Sequence, residues 1–308
     1  MKRLFVAFFI LSMLISTVTL FSAQSDFSFV YLDVLRYTDY PWSRTRVNCD
    51  PFGNIVIYND LDPAKFYVTN IQNPKEFITI DKKKVKGIPN FDFILIYGAD
   101  IFKNSVFFLE SYSWKTSQGP LYLQKSPIYL VEYDYKNNFA KIVTSNKPRS
   151  SFDVSISKDG SKIAWSVVND HRTELHVLDM KTGSDAPVST NVYTMPPLSP
   201  ICDWSDSGKI CFALRFGDKL AIATPKDKGY EIESYNSPQL DVIPEWQDII
   251  SPFFVNETVV GFADQTQGKL ILYDIAQNKV ILKKELPRTW LSIHYTSGKI
   301  LIAYTSQK

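Results

Sequence analysis

Ser155-Ile156-Ser157-Lys158-Asp159-Gly160-Ser161-Lys162-Ile163-Ala164-Trp165 alternates polar and apolar residues, halts at Asp-Gly, and resumes as a more continuously apolar run. Period-two alternation marks a half-buried strand, and Asp-Gly supplies the positive φ that a tight hairpin requires. The same grammar returns at Ile201-Cys202-Asp203-Trp204, the turn Ser205-Asp206-Ser207-Gly208, and Lys209 to Leu214. It recurs more loosely at Val47 to Tyr58 and Pro252 to Phe262. Further strands follow, such as Glu174 to Asp179 and Lys269 to Asp274. Nowhere does a 3.6-residue apolar period persist over a helix of ordinary length, so the chain reads as all-β.

Outward from these hairpins the chain repeats. Prolines stand at Pro41, Pro89, Pro148, Pro196, Pro244 and Pro287, with gaps of 48, 59, 48, 48 and 43 residues. Each falls between one strand pattern and the next, where a fixed φ and a missing N–H do no harm. Six junctions predict six units, and such a period belongs to radial arrays, so the expectation is a six-bladed β-propeller. After Pro287 only two strands remain, Leu291 to Tyr295 and Lys299 to Tyr304, while Phe27 to Leu35 is strand-like and has no unit of its own. Pairing Phe29 to Leu35 into the last blade is expected to close the ring.

Met1-Lys2-Arg3 precedes an apolar stretch from Leu4 to Leu20, with the small Ala23 just beyond. This predicts a signal peptide over residues 1–23 and a single domain over 24–308, with a retained anchor as the alternative. Without Lys2 and Arg3 the basic and acidic residues balance at 32 each, which removes the electrostatic case for nucleic acid. Lys82-Lys83-Lys84 with Lys86 is the only basic run and reads as a solvated loop. The 3 cysteines exclude a disulfide-dense small scaffold. If Ser205 to Gly208 forms a four-residue turn, Cys202 faces Cys211. The pair is then either a cross-strand disulfide or two buried thiols.

The phrases from Ser155 to Trp165 and from Cys202 to Ile210 resemble the repeat of TolB-type propellers, and Asp179-Met180-Lys181-Thr182-Gly183 matches the ending of that family's later strand. Units three and four carry the resemblance. It implies a propeller fold and a periplasmic compartment. No segment matches the family's N-terminal α/β domain, so partner contacts do not transfer.

His171, His176 and His294 show no metal-ligand spacing with Cys, and neither a Gly-x-Ser-x-Gly elbow nor a phosphate loop occurs. Asp134, Asp203 and Glu245 are candidate carboxylates for glycoside hydrolysis, but nothing in the sequence brings two of them together. The sequence therefore predicts no catalytic residue, no metal and no cofactor. Residues that follow the prolines gather near one mouth of a propeller's channel. Here they include Trp42, Arg44, Phe91, Arg149, Trp246, Arg288 and Trp290, and Trp and Arg often dominate protein interfaces. The alternative is that the aromatics wedge between blades. Tyr112 to Tyr122, in the long second unit, reads as an inserted loop or hairpin with exposed aromatics. The expected function is a non-catalytic binding propeller, periplasmic or secreted, that presents one face to another envelope protein. The alternative is a propeller that binds carbohydrate or a small ligand, or hydrolyses it, at the channel mouth.

Overall fold

The computed structural model describes residues 27–34, 45–88, 90–113, 115–116, 119–120, 128–147, 151–169, 172–192, 201–214, 218–236 and 249–306. After β1 (Ser28–Asp33), the chain builds successive antiparallel sheets, each ordered from the centre outward. Blade one holds β2 (Thr45–Cys49), β3 (Asn54–Asn59), β4 (Lys65–Asn70) and β5 (Phe77–Asp81). Blade two begins with β6 (Phe93–Phe102) and β7 (Ser105–Ser113). The small hairpin of β8 (Lys115–Thr116) and β9 (Gly119–Pro120) intervenes before β10 (Ile128–Asp134) and β11 (Phe139–Lys147). Blade three holds β12 (Ser151–Ile156), β13 (Lys162–Asn169), β14 (Arg172–Asp179) and β15 (Asp185–Ser189). Blade four holds β16 (Cys202–Trp204), β17 (Ile210–Ala213), β18 (Lys219–Pro225) and β19 (Tyr230–Asn236). Blade five holds β20 (Ile249–Phe254), β21 (Val259–Asp264), β22 (Lys269–Asp274) and β23 (Lys279–Glu285). Blade six holds β24 (Trp290–Thr296) and β25 (Lys299–Tyr304), with β1 added outside them.

The inner strands β2, β6, β12, β16, β20 and β24 touch in that order, and β24 returns to β2. This is the six-bladed β-propeller that the proline spacing predicts. Its core lies between blades rather than in one centre. Tyr58, Phe66, Phe108 and Tyr133 fill the first gap, Trp204 and Phe212 the third, and Phe253, Ile293 and Ile302 the fifth. Middle strands are covered on both faces, which is why they read as continuous apolar runs. Each fully buried Phe or Leu contributes about 1.5–3 kcal/mol relative to exposure.

Closure follows the expected pairing, with a geometric refinement. β1 pairs with β25 in parallel, from Ser28 opposite Lys299 to Asp33 opposite Tyr304. It occupies a third strand's position but runs in the direction of a fourth strand. The reason is connectivity: a parallel partner of β25 ends at the mouth where β2 must start. Leu32 and Val34 then pack with Val47, Ile55 and Leu301 between blades six and one.

Two sequence readings are corrected by register and burial. Cys202 lies opposite Phe212 and Cys211 opposite Asp203, so the two cysteines are offset by one position and point to opposite faces of blade four. Both thiols are free and buried, one among the residues between blades three and four, the other among those between four and five. Lys82, expected in a solvated loop, is fully buried. After β5 the chain makes a 3-10 turn over Lys82–Lys84 and then crosses to blade two, where Lys86 bridges Phe139 on the outer strand. Val85 and Phe91 are buried along this strap, and Lys82 reaches inward to Glu110.

Candidate binding faces and central channel

Each inner strand starts at one mouth of the ring, here the upper, and turns at the other, the lower. The turns are capped by their own side chains. Asp50 Oδ1 accepts from Phe52 and Asn54 N–H, and Asp159 Oδ1 accepts from Ser157 Oγ and Ser161 N–H. Gly160 adopts φ 77°, the conformation for which Asp-Gly reads as a hairpin turn. Between blades four and five, Glu257 accepts from Ser207 N–H and Oγ at 2.8 and 2.7 Å and lies 3.3 Å from Lys209 Nζ.

Four aspartates near the inner strands link successive blades. Asp50 accepts from Lys103 N–H at 2.8 Å, Asp100 from Ile156 N–H at 2.7 Å, Asp153 from Ile201 N–H at 2.9 Å, and Asp203 from Phe254 N–H at 2.9 Å. At the closing joint, His294 Nε2 donates to the Val47 carbonyl at 2.9 Å and Thr296 Oγ1 to the Asp50 carbonyl at 2.6 Å. Burial holds the Asp100 carboxyl well above the ordinary carboxylate range and lowers His294 to about 4.

Asn48, Cys49, Asp100, Ser155, Lys158, Asp203 and His294 face a channel cavity of about 20 Å³, room for roughly one water. Asn48 Nδ2 donates to the Ala99 carbonyl, while its Oδ1 has no protein partner. Lys158 Nζ sits 3.0 and 3.3 Å from the two Asp203 oxygens. Burial favours its neutral form, but the Asp203 carboxylate outweighs that effect and its pKa is raised. Lys158 also floors a lower-mouth hollow of about 160 Å³, rimmed by Asp206, Asn256, Tyr295 and Ser297.

At the upper mouth, β6 is 10 residues long, whereas β2 has 5 and β24 has 7. Its extra length pairs Phe93 with Ser113 and Leu95 with Ser111, raising a ribbon. Phe93 and Leu95 are 39% and 36% exposed, while Ile94 and Ile96 are buried.

Of the residues expected near this mouth, Trp42, Arg44, Arg149 and Trp246 lie outside the described residues. Arg288 is exposed between β23 and β24, and Trp290 is half-buried against the cluster between blades five and six. Phe91 is 8% exposed and packs against Tyr112 with ring centroids 5.3 Å apart, so it belongs to the core rather than the mouth. Tyr112, expected as an exposed loop aromatic, is buried with its hydroxyl on Glu110. Asp203 is in the channel, Asp134 caps the surface turn at Lys136 and Asn137, and Glu245 lies outside the described residues. Sequence reading misses the linking roles of Asp50, Asp100 and Asp153. Their recurrence at the inner hairpins is the signal that could have found them. Among the described residues, no group of three or more His, Cys, Asp or Glu is placed to hold a metal ion.

No protein-family model matches the chain, and no curated protein matches it in sequence. Among solved structures it is similar to a protein assigned as TolB from Agrobacterium tumefaciens, with TM-score 0.50 and 14% identity over 78% of this chain and 80% of that one. It is also similar to the β-propeller domain of Cps50 (Swd1) from Myceliophteria thermophila, with TM-score 0.50 and 8% identity over 81% and 75%. At these identities the likeness establishes a shared architecture: in fold, the chain is a TolB-like six-bladed β-propeller.

Proposed function

We propose that the chain is an exported, non-catalytic propeller that binds another envelope protein through its upper mouth. Export rests on the cationic start and the apolar stretch ending near Ala23. The carrying observation is the raised β6–β7 ribbon, with Phe93 and Leu95 held half in water on a rigid scaffold. Exposed apolar side chains in such a position suit a partner's surface. The blade-linking aspartates are engaged with backbone N–H groups, which suits a scaffold better than acid–base chemistry. Capture of partners from an envelope extract by the wild type and by Phe93→Lys/Leu95→Lys tests the reading. Loss of a specific partner in the variant is expected, and unchanged recovery overturns it.

A second reading draws on the lower-mouth hollow, whose Asp206, Asn256 and Tyr295 suit a small polar ligand such as a sugar. A thermal-shift screen with monosaccharides and oligosaccharides tests it. Stabilisation that disappears in Asp206→Asn supports this reading, and no shift with any sugar removes it.

A further inference from the structure

Five blades have four strands, and blade six has three, so β1 forms its outer edge among the described residues. An open strand edge is a template for pairing with another chain, and proteins usually guard it with charge, proline or a covering segment. Four of the other outer strands carry such guards. The strap at Lys86 lies along β11, Pro187 interrupts β15, Glu231 and Glu233 project from β19, and Lys279 and Lys283 project from β23. Among the described outer strands, only β1 and β5 lack an internal charge or proline, each having a single Asp at its end. These two strands lie on neighbouring blades. They expose Tyr31 at 48%, Phe77 at 45% and Ile78 at 50%.

We infer that β1 is a self-association edge, pairing antiparallel with β1 of a second copy across a twofold axis. The sequence is self-complementary in the register centred on Val30. Val30 meets its own counterpart, and Phe29 meets Tyr31 of the second copy twice by symmetry. Aromatic and β-branched cross-strand pairs of this kind are favourable. Asp33, the one charge in the strand, falls beyond the centre and opposite Phe27 of the other copy, so like charges do not oppose. The result is one six-stranded sheet running through both rings, joined by an isologous contact. The inference is independent of what the upper mouth binds.

Light scattering coupled to size-exclusion chromatography across a concentration series of the purified protein tests it. A concentration-dependent dimer is expected, and Tyr31→Lys is expected to weaken it by about tenfold or more. Tyr31 is half exposed, so at dilutions where both proteins are monomeric the variant is expected to keep the wild-type melting temperature. Val30→Cys is expected to form a disulfide-linked dimer on oxidation, whereas Lys83→Cys is not. A protein that stays monomeric at every concentration overturns the inference. So does a dimer that is equally tight in Tyr31→Lys and is not trapped by Val30→Cys.

Discussion

The Lys82 ammonium lies 2.7 Å from a Glu110 carboxylate oxygen, and neither side chain is exposed. The ammonium also sits 3.6 Å from the Phe108 ring centroid, while Tyr112 and Tyr133 donate their hydroxyls to the other Glu110 oxygen. Removing one partner of a buried pair leaves an uncompensated charge, which costs about 3–5 kcal/mol. Lys82→Met and Glu110→Gln are each expected to destabilise on that scale. In the double variant, the introduced amide oxygen still accepts from both tyrosines and no lone charge remains. Its loss is expected to fall well below the sum of the two single losses in a denaturation cycle. Additive losses would show that the pair is not coupled.

His294 gives the ring an acid-sensitive joint. Burial lowers its pKa to about 4, against 6.5 for the exposed imidazole. Below pH 6.5 the unfolded chain takes up a proton that the folded chain refuses. The His294 contribution is therefore complete above pH 6.5 and is lost as pH falls through 4, about 3 kcal/mol in all. His294→Gln retains a donor for the Val47 carbonyl but does not titrate. The difference in urea stability between wild type and variant is expected to change from pH 7.5 to 4.5. A constant difference contradicts the assignment.

Gly98 and Gly183 separate two uses of glycine. A Cβ at Gly98 would lie 2.3 Å from the Asp153 Cα, where the inner strands of blades two and three press together. Gly98→Ala is expected to cost about 3 kcal/mol or more, because backbone must move. Gly183 has φ 71° and open space around it, so Gly183→Ala is expected to cost about 1 kcal/mol. Thermal melts that rank the two variants the other way would refute this packing account.

Along β1, alternate residues face different surroundings. Leu32 is 3% exposed and Tyr31 48% exposed. Leu32→Ala is expected to lose about 2–5 kcal/mol. Tyr31→Ala is expected to change monomer stability by about 0.5 kcal/mol or less. Equal effects would indicate that β1 does not hold the ring closed.

Cys49, Cys202 and Cys211 are free, and burial pushes all three thiols up. Ellman titration is expected to count three thiols in denaturant without reductant, and slow reaction in the native protein. A count of one would restore the Cys202–Cys211 bond.

The inner and middle strands are legible in sequence because they are covered on both sides and bounded by turn residues, as at Ile163 to Val167. The outer strands are not, since β19 exposes most of Tyr230–Asn236 and carries no apolar signal. The register of blade four differs by one residue from the sequence reading because Ser205 pairs through its backbone with Lys209, which leaves a three-residue loop, Asp206 to Gly208, in place of the expected four. Lys82 reads as solvated because nothing local announces Glu110, which lies on the neighbouring blade. The blade-linking aspartates escape notice for a similar reason: each bonds to backbone about fifty residues further on, and only their recurrence from one inner hairpin to the next marks them in the sequence.

The parallel joint between β1 and β25 also sets an order of events. Residue 28 finds its partner only at residue 299, so no arrangement of the earlier blades can seal the ring. Contacts this distant are slow to form, and a strand carrying Phe29, Tyr31 and Leu32 stays exposed until the last hairpin exists. The interval between making the first strand and the last is therefore the period in which this chain is most open to misassembly, and in which a holding chaperone has the most to protect.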